Sequence, residues 1–237
     1  MKHTAKDIVL CFLLIVFYNS ANAQTAETDE VYEKDNYLLI EKSTQKPFNG
    51  VLIERNEQHK IIAKKTFADG LENGISRFYD KSGTLVCTGE FKNGLEDGQW
   101  IWFYPSGIIK TKGEYKNGES NGKWTYYDEL GNIRRTGEVI NGKENGIWHY
   151  FNENHNLVSE CYFKYGLKDS VETWYYPNGQ KMIERHYIEG IENGVYKGWF
   201  SSGKPKFEGN TRNGVIVRYI EWDEKGNALK IKHPDTN

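Results

Sequence analysis

The chain has 237 residues, 38% hydrophobic and 27% charged, and its mean hydropathy is −0.75. This polarity excludes a membrane protein of several spans, and the 14% aromatic content is unlike that of a disordered chain. Numerous rings together with 24 glycines and only five prolines favour short strands and tight turns, so we expect an all-β fold. A formal net charge of −2, with both signs interspersed, lacks the basic surface of a nucleic-acid binder, and no nucleic-acid partner is expected.

The N-terminal segment predicts export. A basic start is followed by an apolar run from Ile8 to Tyr18, shorter than the roughly 20 residues that cross a bilayer. Ala21 and Ala23 then form the small-residue pattern that precedes a cleavage site. We therefore expect a signal peptide over residues 1–23, cleavage after Ala23, and a mature chain in the periplasm or outside the cell.

Glycine recurs with a period of 24 residues, which indicates a repeat protein. The period predicts an array over residues 50–232, with seven full units and a partial eighth. A polar lead-in and a capping strand, Tyr37 to Glu41, occupy residues 24–49, and residues 233–237 form a tail. The most complete series is Gly70, Gly94, Gly118, Gly142, Gly166, Gly190 and Gly214.

Each unit predicts a β-hairpin, because an aromatic stretch, a turn, a second stretch and then Asn-Gly or a similar pair follow one another. Pairing around the turn sets a large ring opposite a glycine or another small residue, with one exception that carries opposite charges. The same register places an aliphatic and aromatic set on the face of these rings, which we assign to the core: Leu85, Ile109, Ile133, Leu157, Phe91, Tyr115 and Phe163. The predicted pairs are Trp100 with Gly113, Trp124 with Gly137, Trp148 with Cys161, Tyr196 with Gly209, and Glu172 with Arg185.

The two cysteines that remain after cleavage, Cys87 and Cys161, lie three units apart. Stacked hairpins advance by about 10 Å per unit, which separates the two by roughly 30 Å. A disulfide needs Cα atoms within about 7 Å, so we predict two free thiols.

The units resemble MORN repeats (membrane occupation and recognition nexus), in the variant form found in bacterial proteins often labelled antitoxins of toxin–antitoxin systems. The residues that carry the resemblance are 98–103 with 113–118, and 122–127 with 137–146. The resemblance implies an elongated, twisted antiparallel β-meander that acts as a scaffold or binding surface without activity of its own.

The resemblance also suggests two roles, that of an antitoxin and that of a membrane-lipid binder, and the sequence bears on both. An exported chain does not suit an antitoxin of a cytosolic toxin. Losing two lysines and one aspartate with residues 1–23 changes the net charge from −2 to −3, so no basic stripe is left for lipid headgroups. Peripheral membrane contact is therefore not expected.

Residues that could carry chemistry are scattered. The remaining histidines lack the spacing of zinc ligands, and no nucleophile has a base at a recognisable distance in the sequence: His59, His149, His155, His186 and His233. Acidic residues that we assign to inter-unit loops lack the alternating pattern of a calcium loop: Glu72, Glu96, Asp97, Glu119, Glu144, Asp169 and Glu192. We expect no catalytic residue, no metal and no cofactor.

A row of rings recurs every 24 residues on the face opposite the predicted core, with cations beside it. Such a row could bind an extended partner, or the sheet could curl so that the row forms a second buried layer; the poor solubility of exposed rings favours the second interpretation. The expected function is a non-catalytic exported scaffold for protein–protein interaction, and the alternatives are a carbohydrate or cell-wall binding module and an antitoxin-like immunity protein. The candidate interaction face consists of Tyr79, Phe103, Tyr127, Phe151, Tyr175, Trp199, Lys110, Arg134 and Lys206.

Overall fold

A computed structural model describes residues 24–34 and 38–232 of the chain. Within these residues the fold is all-β, with twenty strands, one three-residue 3₁₀ turn and no α-helix. No helix of the described part has the length and apolar character needed to cross a membrane. The predicted signal peptide and the tail lie outside the described residues, as do residues 35–37.

The strands of the first half of the chain are β1 (Gln24–Glu27), β2 (Val31–Lys34), β3 (Leu38–Glu41), β4 (Gly50–Arg55), β5 (Ile61–Ala68), β6 (Leu71–Glu72), β7 (Gly74–Tyr79), β8 (Leu85–Lys92), β9 (Leu95–Phe103), β10 (Ile109–Lys116) and β11 (Glu119–Tyr127). The 3₁₀ turn Thr28–Glu30 joins β1 to β2. The strands of the second half are β12 (Ile133–Ile140), β13 (Lys143–Phe151), β14 (Leu157–Lys164), β15 (Leu167–Tyr175), β16 (Lys181–Ile188), β17 (Ile191–Trp199), β18 (Pro205–Arg212), β19 (Val215–Trp222) and β20 (Ala228–Lys232).

From β4 to β20 the chain forms an antiparallel meander. Each strand pairs with the one that follows it, except that β5 pairs with both the two-residue β6 and β7. Together with β1 these strands make an 18-stranded sheet. The predicted fold of stacked 24-residue hairpins is confirmed.

The N-terminal end of the sheet is covered by residues that precede the array. Strand β1 pairs in parallel with β4, and Gly50 permits this approach because a Cβ there would collide with the carbonyl oxygen of Gln24. Strand β3 falls within the predicted capping strand, but it pairs with β2 in a separate two-stranded sheet. The polar segment 24–34 thus contains two strands, and a small core forms beneath them from Ala26, Val31, Phe48 and Leu52.

Tight turns follow one another along one edge of the array. Asn117 and Gly118 both have positive φ, 51° and 82°, which asparagine and glycine adopt at low cost. The Gly118 amide donates to the carbonyl of Glu96 in the preceding unit at 2.9 Å, and the equivalent bond recurs from Gly94 to Gly214. Backbone hydrogen bonds therefore join successive turns as well as successive strands.

The hairpin register agrees with the sequence at every predicted pair. Trp100 faces Gly113, Trp124 faces Gly137 and Trp148 faces Cys161. Tyr196 faces Gly209, and Glu172 faces Arg185.

The ring that covers each glycine nevertheless comes from a different hairpin than predicted. A Cβ built on Gly113 would lie against the indole of Trp124, and one built on Gly137 against the indole of Trp148. Each tryptophan thus packs over the glycine of the preceding hairpin, across the strand pair that the tight turn joins. The cause is a break in register beside each of these glycines, for example between Lys112 and Glu114.

The aliphatic series was assigned to the wrong face. Ile133 pairs with Tyr127, while Arg135 pairs with Tyr126, so Arg134 is an extra residue that forms a β-bulge. The bulge reverses the alternation of side chains, and Ile133 lies on the face opposite Trp124. Leu85, Ile109 and Leu157 are moved in the same way, whereas Phe91, Tyr115 and Phe163 remain on the tryptophan side as predicted.

Candidate interaction surface

The sheet has two faces of different character. We call the face that carries Trp100, Trp124 and Trp148 the tryptophan face, and the opposite face, which carries Tyr127, the ring face. In the described part of the chain the principal contacts of the array strands are with their neighbours in the sheet, and beyond the small core at the N-terminal end no further layer packs over either face.

The rings of the tryptophan face stack on one another. Trp100 and Trp102 have ring centroids 5.6 Å apart at an angle of 29°, and Trp102 continues to Trp124 at 5.6 Å and 30°. Tyr126 extends the series to Trp148, which is fully buried and donates its indole N–H to the carbonyl of Glu138 at 3.0 Å. Ring faces that lie against other rings are not available to a ligand, so we assign this ladder a structural role.

One unit replaces the tryptophan by an acid. The carboxylate of Glu172, 5% exposed, accepts hydrogen bonds from Lys168 Nζ at 2.6 Å and from the Tyr187 hydroxyl at 2.9 Å. Burial and the contact with this carboxylate raise the pKa of Tyr187 to about 12. Arg185 stands beside Glu192, with Nε 3.3 Å from the carboxylate. The buried acid is thus balanced by cations and a hydroxyl of the same face.

Cys161 explains why an acid can stand there. The thiol occupies the position that is glycine in the units at Gly113 and Gly137, and it pairs with Glu172, so its side chain takes the space that a tryptophan would need. Cys161 is 2% exposed, and burial raises the pKa of its thiol to about 12. Such a thiol is protonated at neutral pH and is not an activated nucleophile. Both Cys87 and Cys161 are free, as predicted.

The ring face carries an apolar band along the edge of the four-residue turns. We define the ring band as the cross-strand pairs that close the six hairpins from β7–β8 to β17–β18. Every ring of the band is half-buried, so the row does not form a buried second layer, and in the described residues none of the six lies against another ring. The pairs are Tyr79 with Leu85, Phe103 with Ile109, Tyr127 with Ile133, Phe151 with Leu157, Tyr175 with Lys181, and Trp199 with Pro205.

The cations expected beside the row occupy the bulge positions. Lys110 Nζ lies 5.8 Å from the ring centre of Tyr104, and Lys206 Nζ lies 5.7 Å from that of Phe200, so both cations lie over rings of the turns. Arg134 has one guanidinium nitrogen that is buried without a hydrogen-bond partner. A cation that does lie over a band ring, Lys181 at 5.9 Å from Trp199, was not among the expected residues.

The hydroxyl of Tyr175 fixes one ring of the band. It donates to the carboxylate of Glu160 at 2.6 Å, and burial together with this bond raises its pKa to about 12. The hydrogen bond therefore holds the Tyr175 ring in one position.

The seven acidic residues assigned to loops all belong to strands, because the inter-unit turns are only two residues long. Glu96 pairs with Phe91, Glu144 with Val139, and Glu192 with Tyr187. Within the described residues, no three or more His, Cys, Asp or Glu side chains are arranged to hold a metal ion.

Four segments of the chain match the family described as MORN repeat variant, at residues 72–93, 96–117, 168–189 and 192–213. The matches follow the 24-residue phase, and the two intervening units form the same hairpins. No curated protein matches the sequence.

Several solved structures are similar to parts of the chain. The GtfA/B complex bound to UDP and GlcNAc is 10% identical over 53% of this chain and 22% of that chain, with a TM-score of 0.18. A Photorhabdus luminescens Tc holotoxin pore is 10% identical over 78% and 11%, with a TM-score of 0.24, and a TcdB2–TccC3–Cdc42 complex is 11% identical over 84% and 14%, with a TM-score of 0.23. The chain thus spans less than a quarter of the length of these proteins.

Proposed function

This chain is a MORN-repeat protein, and from that premise we propose that it is a non-catalytic, exported scaffold that binds a protein partner along the ring band. MORN repeats commonly serve as interaction modules. The observation that carries the proposal is the run of six pairs of the ring band, one for each successive hairpin from β7–β8 to β17–β18, that nothing in the described part of the chain covers.

The chemistry of the band suits a protein partner. A protein interface has an apolar, aromatic centre and a polar rim, and a few rings supply most of the binding energy. The pair of Phe151 with Leu157 offers such a centre, and polar residues such as Thr136 and Glu160 lie on the same face. Each hairpin repeats the arrangement, so an extended partner would meet the same side chains at regular intervals.

Photo-crosslinking tests the proposal directly. A photo-reactive amino acid at Phe103 or Phe151 is expected to give one and the same protein adduct in cells that export the chain. The matched control is the same substitution at Trp174, a 38%-exposed ring on the tryptophan face, which is expected to give none.

The purified partner then allows a quantitative test. The double variant Phe103→Ser, Phe151→Ser is expected to weaken binding by about tenfold or more, because buried interface rings each contribute more than about 1 kcal/mol. Trp174→Ser is expected to bind normally. Adducts from Trp174 alone would contradict the proposal, and sedimentation with peptidoglycan or polysaccharide without any protein adduct would favour the carbohydrate alternative.

Export is part of the proposal, and its support is the sequence of residues 1–23. The expected mature protein begins at Gln24, which is also the first residue of β1. N-terminal sequencing of the chain recovered outside the cytoplasm checks this point, and an N-terminus at Met1 on that material would contradict it.

A further inference from the structure

Two cations face each other where the ring face begins. Strand β5 places Lys64 directly opposite Arg77 of β7. Within residues 24–34 and 38–232, neither side chain forms a hydrogen bond or an ion pair. Like charges directly opposite each other destabilise a sheet, so this pair costs stability in the free protein.

The nearby carboxylates do not neutralise the pair, because most of them are engaged elsewhere. Glu27 is held by Arg55 at 3.2 Å, and Glu54 by Lys65 at 2.7 Å. Asp80 accepts backbone hydrogen bonds inside its own turn. Glu90 pairs with Ile75, one step along the face from Arg77, and forms no ion pair with it.

A surface depression of about 390 Å³ opens beside this pair. Its apolar lining includes Ile61 and Tyr79, the first ring of the ring band. Its polar lining consists of Ser82 and of the basic residues Arg55, His59, Lys60 and Lys64. Lys60 Nζ, on the rim, donates only to the carbonyl of Ser82 at 3.3 Å.

The rest of the ring face is balanced differently. Lys123 stands opposite Glu138, Lys197 Nζ lies 3.5 Å from the carboxylate of Glu208, and His149 lies 3.8 Å from that of Glu160. These cations have an acid beside or opposite them, whereas Lys64 and Arg77 stand opposite each other, in a chain whose net charge is negative. We call Lys60, Lys64 and Arg77 the basic patch; Arg55 lies beside it and is already paired with Glu27.

We propose that the basic patch binds an acidic segment of a partner protein, whose carboxylates neutralise Lys64 and Arg77. The cations lie on β5, on β7 and in the turn before β5, around an open depression, which suits several carboxylates along an extended peptide better than one compact anion. Arginine binds a carboxylate through two parallel N–H groups, and lysine adds an adjacent point charge. The proposal rests on the proposed function only in taking the ligand to be a protein.

A labelled oligo-glutamate peptide provides a probe that does not require the natural partner. We expect saturable binding at low salt that weakens as ionic strength rises. Lys64→Gln, Arg77→Gln is expected to weaken binding by about tenfold or more, because each charge-assisted bond removed is worth about one such factor. The matched control, Lys112→Gln, Lys123→Gln, removes two cations of the same face outside the patch and is expected to bind like the wild type.

Two further measurements separate this site from its alternatives. The double variant Phe103→Ser, Phe151→Ser is expected to keep its affinity for the peptide, so failure of the ring band and failure of the basic patch are distinguishable. The thermal unfolding temperature of Lys64→Gln, Arg77→Gln is expected to equal or exceed that of the wild type, since repulsion is removed. Equal peptide binding by the patch variant and the control would overturn the proposal, as would binding to phosphatidylglycerol vesicles or to inorganic phosphate without binding to the peptide.

Discussion

The indole of Trp148 lies over Gly137, so closely that a Cβ on the glycine would stand nearer than 3.0 Å to the ring. The two residues belong to successive strands joined by a tight turn, and the contact recurs between Trp124 and Gly113. The ring occupies the space of the missing side chain, so each hairpin is fixed to the one before it.

Gly137→Ala is therefore expected to destabilise the protein by about 1–3 kcal/mol, because the added methyl group overpacks the site. The matched control is Gly107→Ala, where a Cβ meets nothing within 4 Å and only the positive φ of 83° is strained. Urea unfolding compares the two. A smaller cost at Gly137 than at Gly107 would contradict the packing described here.

The pair of Cys161 and Glu172 permits a reciprocal test. Glu172→Trp alone is expected to destabilise the protein, because the indole meets the thiol side chain and Lys168 loses its partner. Adding Cys161→Gly restores the arrangement of Gly137 and Trp148, so the double variant is expected to recover about 1 kcal/mol or more relative to additivity. Strictly additive free energies of unfolding would show that the two positions are not coupled.

Stability is expected to fall in alkaline solution. Burial raises the pKa of the Cys161 thiol to about 12, whereas an unfolded cysteine has a pKa of about 8.5. Above pH ~8.5 the Cys161 thiol loses its proton in the unfolded chain but keeps it in the folded protein. The contribution of this thiol to stability is therefore present below that pH and is lost as pH rises toward 12. The free energy of unfolding should decrease by about 1.4 kcal/mol per pH unit from this group.

Unfolding curves between pH ~8.5 and 10 check the prediction before tyrosines contribute strongly. Cys161→Ala should show a shallower dependence on pH, and the control Cys87→Ala should show less change in slope. An identical slope for Cys161→Ala and the wild type would contradict the burial of this thiol.

Acid is expected to weaken the four-residue turns. Hydrogen bonds from the backbone N–H groups of Asn132 and Leu130, at 2.9 and 3.0 Å, lower the pKa of the Asp128 carboxyl group. The stabilisation is thus present above the unfolded pKa of about 3.9 and is lost as pH falls through the lower folded value.

Asp128→Asn separates charge from turn geometry. Asn152 already serves in the equivalent turn, where its Oδ1 accepts from Asn154 and Asn156. The variant should keep the turn and lose part of the dependence of stability on pH below 4, whereas Asp128→Ala should be destabilised at every pH. The free energy of unfolding of the three proteins is measured between pH ~5 and 2.5. If Asp128→Asn and the wild type depend on pH in the same way, the stabilising role of the Asp128 charge is contradicted.

The sequence was sufficient for the hairpins and for every predicted cross-strand pair, because a strict period and turn residues determine both. It was insufficient where the alternation of strand side chains is interrupted. No residue type in the sequence marks the bulge at Arg134. Counting alternate side chains along the strand therefore placed Ile133 on the wrong face. The parallel strand β1 has four residues without a pattern, and it is a strand because it pairs with β4 and buries Ala26 against Leu52 and Phe48.

The candidate site was predicted in part for the same reason. The ring row follows directly from the period, whereas its aliphatic partners depend on the bulge. The opposition of Lys64 and Arg77 repeats the register of Thr88 with Ile101 and of Lys112 with Thr125, so the period predicts this pair as well. The period says nothing about charge, and the two facing cations come from the residue types of this one unit.

The hydrogen bonds between successive tight turns hold neighbouring hairpins at a fixed spacing. Each hairpin adds about 10 Å along the axis and leaves its neighbours unaltered. The distance between the basic patch and any ring of the band is then set by a count of hairpins. Inserting or deleting one 24-residue unit within the array would lengthen or shorten that distance by a fixed step. A partner that contacts both the basic patch and the ring band would then bind with lower affinity.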